Sequence, residues 1–164
     1  MGFETFFMEE ALKEATTNAN EVPIGAVIVD YTTNQIIARG SNLCIKEHDP
    51  TMHAEIVAIR RACAFLQNYR LPNCDLYVTL EPCPMCAQAI SFARIRHIYF
   101  GATDIKGGGI VNGPQIFNFA LHKPVIYDNI LATEGRTLLV NFFKERRKCL
   151  KKSQKLNLIT NQKL

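Results

Sequence analysis

Apolar and polar positions along this chain follow two periods in turn, and the switching between them predicts an order of elements. Residues 3–19 read as a first helix with Phe7, Leu12 and Ala15 as inward candidates, broken by Glu21-Val22-Pro23. Residues 24–29 form a near-continuous apolar run with β-branched side chains, as a buried strand requires. A turn over 31–34 and a second strand over 35–39 complete a hairpin. Residues 40–51 read as a polar loop carrying Asn42, His48, Asp49 and Pro50. His53 and Glu55 then open a helix, because Ile56, Ile59, Cys63 and Leu66 follow at helical spacing. A third strand over 75–80 delivers Glu81-Pro82-Cys83 at its end, and a helix to about residue 94 and a fourth strand over 97–101 follow. Glycine dominates residues 104–113, which predicts a mobile surface loop; its order is not that of a phosphate-binding P-loop. A short helix over 114–121, a fifth strand over 125–130 and a long final helix from about residue 133 end the series. In that last helix Leu138, Leu139, Phe142 and Phe143 form an apolar stripe, with Arg146 and Arg147 one turn on. Strands alternating with helices predict an α/β sheet sandwich.

A chain of 164 residues suits one domain with a sizeable core. Charged or amide residues interrupt every apolar stretch before it reaches the length of a membrane span. Residues 1–20 mix acids with hydrophobics, unlike a signal or transit peptide, and six cysteines in a chain this long do not read as a disulfide framework. The expected location is cytoplasmic. The net charge of +4 is unevenly spread: from Lys144 onward there are eight Lys/Arg against Glu145 alone, and the remainder holds 11 Lys/Arg against 14 Asp/Glu. Such a run is either a solvated helix face or an attractor of phosphate, and salt-dependent affinity for a polyanion distinguishes the two. The expected organisation is one domain over residues 1–152 and a basic, frayed tail over 153–164.

The chemistry concentrates in His53-Ala54-Glu55 and Pro82-Cys83-Pro84-Met85-Cys86. One imidazole and two thiolates suit zinc, and three protein ligands leave a fourth position for water, as catalytic sites do. Pro84 fits the first position of a helix, which makes Cys83 its N-cap with Cys86 on the same side. The positive helix end favours the thiolates that bind metal. Glu55, two residues from His53, reaches past the metal toward bound water. By itself C-x-x-C equally fits a redox pair or half of a structural zinc site, whose fourth ligand here would be Cys74 or His48. The combination H-x-E with P-C-x-x-C is the established signature of zinc-dependent nucleobase deaminases.

The segments Glu21-Val22-Pro23-Ile24-Gly25-Ala26-Val27, His48 through Glu55 and Leu76 through Cys83 closely resemble the bacterial tRNA-specific adenosine deaminases, which make wobble inosine. Asn68-Tyr69-Arg70-Leu71 and Phe142 through Arg147 add to a resemblance that spans roughly residues 3–150. It implies a three-layer α/β/α, cytidine-deaminase-like fold on a five-stranded mixed sheet, one zinc per chain, a homodimer, and the anticodon loop of a tRNA as partner. His53, Cys83 and Cys86 would hold zinc, and Glu55 would shuttle protons. Asn42 would bond the flipped base, Asp104 would lie near the preceding ribose, and Phe143 and Arg146 would contact the anticodon loop. Phe143 also has an alternative place in the core. Val111-Asn112 stands where the family usually has Gly-Ser, and Leu43-Cys44 where it usually has Arg-Pro; both pairs lie near the expected substrate rim. A guanine deaminase acting on free base carries nearly the same signature, so it is the rival reading, followed by a non-catalytic zinc-containing RNA-binding module.

Overall fold

The run Val27-Ile28-Val29 is almost wholly removed from solvent because its strand, β1 (Gly25–Asp30), lies inside the sheet. The computed structural model describes residues 2–161. β1 pairs antiparallel with β2 (Gln35–Ser41) through a turn in which Asn34 takes a left-handed conformation, φ 55°. On its other side it pairs antiparallel with β3 (Cys74–Leu80). β4 (His97–Ala102) and β5 (Val125–Tyr127) then add in parallel, giving the order β2-β1-β3-β4-β5. The sheet is five-stranded and mixed, as expected.

Alternation along the strands divides the core. Ala26, Ile28, Leu76, Val78, Ile98 and Phe100 face α2 (Ala54–Leu66) and α3 (Pro84–Phe92). Val27, Val29, Tyr77 and Tyr99 face the other way, against Phe7, Met8 and Ala11 of α1 (Phe3–Ala15). α4 (Ala132–Asn161) packs on β3 and β4. On the α1 face Tyr77 stacks on Tyr99 at 4.3 Å, and Tyr99 on Tyr127 at 4.7 Å, so one ladder of rings crosses three strands. The parallel pair β3–β4, joined through α3, brings the C-terminal ends of both strands to one edge of the sheet. That edge carries the site.

Several boundaries differ from those predicted. α1 stops at Ala15 rather than residue 19, because the hydroxyls of Thr16 and Thr17 donate back to the carbonyls of Lys13 and Glu14. The helix expected over 114–121 is a single 3-10 turn, Ile116–Asn118, and β5 has three exposed residues rather than six. The backbone of α4 continues as helix to Asn161, through part of the segment expected to fray; residues 162–164 lie outside the described residues. Phe143, at the end of the expected stripe, is 46% exposed and is not a core residue.

Glu10 ties α1 to β2: it accepts from Lys13 at 2.5 Å and from Arg39 at 2.6 Å. Those two hydrogen bonds, Lys13 first, hold its carboxyl below the usual glutamate value. Because the native state favours the ionised form, the contribution is complete above the unfolded pKa of ~4.3 and is lost as pH falls through the lower native value. Glu10→Gln is expected to cost about 1 kcal/mol in urea unfolding at pH 7, since Arg39 is partly solvent-screened, and progressively less as pH falls below ~4.

Candidate zinc centre

Two helices aim their first side chains at one point, and neither uses its N-cap side chain to cap itself. His53 is the N-cap of α2 and Cys83 the N-cap of α3; both have extended backbone, and neither side chain caps its own helix. Pro84 occupies the first helical turn as predicted. For α2 the cap comes from elsewhere: Asn42 Oδ1 accepts the Ala54 N–H at 2.9 Å. His53 is thereby free to turn toward the cysteines.

His53 Nδ1 lies 3.6 Å from Cys83 Sγ and 3.6 Å from Cys86 Sγ. Tetrahedral zinc, with Zn–S ~2.3 Å and Zn–N ~2.0–2.1 Å, holds such a nitrogen and sulfur roughly 3.6 Å apart. The donor set therefore fits zinc in kind and in spacing. Hydrogen bonding by Cys86 and then by His53 draws the Cys83 thiol down to about 4, whereas its donation to Cys83, with burial, holds Cys86 in the thiol form. Hydrogen bonding to Cys83 likewise raises His53. Without a metal, the cluster retains protons that a cation would displace.

Among the described residues no fourth His, Cys, Asp or Glu joins these three donors. Cys74 is buried at the far end of β3, and His48 is exposed in the turn before the site, so neither closes the shell. Glu55 stands in the first turn of α2 and is 4% exposed. Burial pushes its carboxyl up to about 7, against the opposing pull of its own amide and of His53. An acid poised there can take and return a proton near neutrality.

The substrate candidates lie around this point unequally. Asn42 is buried, with Nδ2 donating to the Val22 carbonyl at 3.0 Å, so each end of its amide has one bond made and one place left. Asp104 follows β4, and its Oδ1 accepts the N–H groups of Lys106 and Gly107, both at 3.0 Å. Asp104 and Phe143 line one cavity of 370 Å³, together with Ile24, Leu80 and Arg136. Arg146 is outside that cavity: it donates to the Asn20 carbonyl at 2.7 Å and sits 5.1 Å over the Phe142 ring. The glycine-rich segment expected to be mobile is fastened to Glu81, a residue to which sequence reasoning assigns no role. Its only signal is its place directly before Pro82-Cys83.

The family model for the cytidine and deoxycytidylate deaminase zinc-binding region matches residues 1–102. A tRNA-specific adenosine deaminase from Agrobacterium fabrum is 48% identical over 151 residues, 90% of this chain and 98% of its own. The chain belongs to that family. Zinc is therefore its cofactor, and His53, Cys83 and Cys86 form the candidate site for it. A solved structure from work on A-to-I editing by tRNA:A34 deaminases at the wobble position matches with TM-score 0.79 and 49% identity, covering 82% of this chain and 99% of that one. A guanine deaminase from Bacillus subtilis is 43% identical with TM-score 0.58, but covers 63% of this chain and 66% of its own. The guanine deaminase thus shares about two thirds of its length with this chain, where the Agrobacterium enzyme and the A-to-I editing structure share nearly all of theirs. No helix among the described residues is long and apolar enough to cross a membrane.

Cys83→Ala and Cys86→Ala are each expected to lose most bound zinc, measured by atomic emission on the purified protein, whereas Glu55→Ala keeps it. Undiminished zinc in either cysteine variant would strike that residue from the ligand set.

Proposed function

We propose that this chain converts adenosine to inosine by hydrolysis at the wobble position of a tRNA, arginine tRNA with an ACG anticodon being the first substrate to try. The observation that carries this reading is similarity along nearly the whole length to tRNA-specific adenosine deaminases, over three metal donors with one buried acid beside them. His53, Cys83 and Cys86 are the residues that would hold one zinc per chain. When bound, zinc supplies a lowered pKa for water, from ~15.7 toward ~7. Glu55 does the proton work. It takes a proton from the attacking water and delivers it to N1 of the adenine, which makes C6 electrophilic. Oxygen adds at C6; Glu55 then takes the remaining hydroxyl proton and passes it to the exocyclic nitrogen, the C6–N bond breaks, ammonia leaves, and the C6 carbonyl of inosine forms. Asn42 orients the base with the hydrogen and lone pair it has left. Asp104 meets the preceding ribose, and Phe143 offers an exposed ring to the anticodon loop. An adenosine in such a loop is partly unstacked already, so withdrawing it costs less than from a duplex.

The catalytic unit in this reading is one domain over residues 1–152, with 153–164 a basic tail, working in the cytoplasm. Lys144, Arg147 and Lys148 leave α4 exposed, and among the described residues only Glu145 pairs with one of them, a fit for loop phosphates. Arg146 joins them while anchored to Asn20. A second copy of the chain is the proposed partner for the hollow of 410 Å³ beside α3, where Tyr69, Phe92, Phe119 and Leu121 are exposed together.

Incubation with an ACG anticodon stem-loop is expected to release ammonia and to read as A-to-G at the wobble base on sequencing; turnover of guanine alone would favour the rival. Glu55→Gln should lower turnover roughly 10³-fold. Charge reversal at Arg146 and Arg147 should weaken stem-loop binding and flatten its salt dependence, the logarithmic slope falling by roughly one for each phosphate no longer neutralised. Unchanged affinity would remove these arginines from the RNA interface. Light scattering should give a dimer for the unaltered chain and a monomer for Phe119→Asp with Leu121→Asp; a monomeric unaltered chain would refute the pairing.

A further inference from the structure

Glu81 is a carboxylate with 2% exposure, two residues from a metal donor, and among the described residues it forms no ion pair. Burying such a charge is costly unless hydrogen bonds replace its water. Here five do, and all come from one loop. Oε1 accepts the backbone N–H groups of Ile110, Val111 and Asn112 at 3.2, 2.9 and 2.9 Å. Oε2 accepts the Asp104 N–H at 2.9 Å and the Asn112 side-chain amide at 2.6 Å. These bonds fill the lone-pair directions of a carboxylate, which leaves Glu81 nothing with which to bind metal or carry protons.

The loop closes on the cysteine turn at a second place. Gly109 N–H donates to the Pro82 carbonyl at 2.8 Å. A Cβ on Gly109 would stand 2.6 Å from Pro84 N, and one on Gly108 would stand 2.4 Å from the Glu81 carboxyl carbon. The glycines are there for close approach. Both ends of the loop and the turn that presents Cys83 therefore share one buried anion.

We propose that Glu81 is a positioning residue: it clips the 104–112 loop, and with it Asp104, in fixed register to the Cys83–Cys86 turn, so that the substrate rim and the metal donors move as one body. Asn112 supplies one of the five bonds from its backbone and one from its side chain, and only the side-chain bond depends on the residue being asparagine. The assignment of this loop to the rim rests on the function proposed above.

The test uses the full-length zinc protein. Amide hydrogen exchange at Asp104, Val111 and Asn112 should quicken at least tenfold in Glu81→Gln, and zinc content should hold. Asn112→Ala and Asn112→Ser accompany it as milder variants that leave the buried anion in place. Asn112→Ala should raise KM for the anticodon stem-loop roughly tenfold, the size set by one charge-assisted hydrogen bond, with kcat within about twofold; Asn112→Ser should recover most of the loss. Unchanged exchange in Glu81→Gln, or unchanged KM in Asn112→Ala, would overturn the clip. Loss of zinc from Glu81→Gln would overturn it too, by making Glu81 a support of the ligand turn alone. Absence of stem-loop turnover in the unaltered chain would instead count against the proposed substrate, and the exchange measurement would still decide on the clip.

Discussion

Everything in this molecule turns on aiming the N-termini of α2 and α3 at one point, so that their first side chains meet within a few ångströms. Such ends carry unpaired N–H groups and partial positive charge, so they repel unless something anionic or strongly accepting lies between them. Two sulfurs and an imidazole occupy that space here. The same positive ends that need the thiolates also stabilise them, and the parallel pairing of β3 with β4 fixes where α3 can start. Asn42 matters to this arrangement before any substrate arrives. By capping α2 in place of His53 it decides that the imidazole faces inward.

Around the donors, the rim is held by anions that meet amides rather than cations. Glu81 gathers the loop after β4. Glu21, 4% exposed, accepts the N–H groups of Ile45 and Lys46 at 2.8 and 2.9 Å and so gathers the loop after β2. A backbone amide cannot swing away as a lysine can, so each loop is fixed mainly by its main chain, with the Asn112 side chain adding one bond to Glu81. Asp104 and Phe143, which are remote in sequence, meet in one cavity.

The centre was legible from sequence because its causes are local. Pro84 fixes a helix start, Cys86 follows at helical spacing, and the histidine-glutamate pair opens the next amphipathic stretch. What escaped depended on partners far along the chain. The bond from Arg146 to the Asn20 carbonyl spans 126 positions, and nothing near either residue announces it. The exposed setting of Phe143 decides between two places the sequence left open, since a stripe shows which residues share a helix face but not how far the sheet extends beneath it. Glycines 107–109 misled in a different way. A run of glycine suggests freedom, but two of these residues make room for a buried carboxylate and a proline. The early end of α1 lay in two threonine hydroxyls that compete for helix carbonyls, a short-range effect masked in the sequence by the more conspicuous proline that follows.

The tyrosine ladder across β3, β4 and β5 has a consequence for how this protein is watched. With no tryptophan and five tyrosines, three of them stacked, coupling among its tyrosines in near-ultraviolet dichroism is expected from the face covered by α1. That coupling therefore reports the side of the sheet turned away from α2 and α3. The ladder lies on one face of the sheet, and the two helices whose N-termini present the metal donors lie on the other.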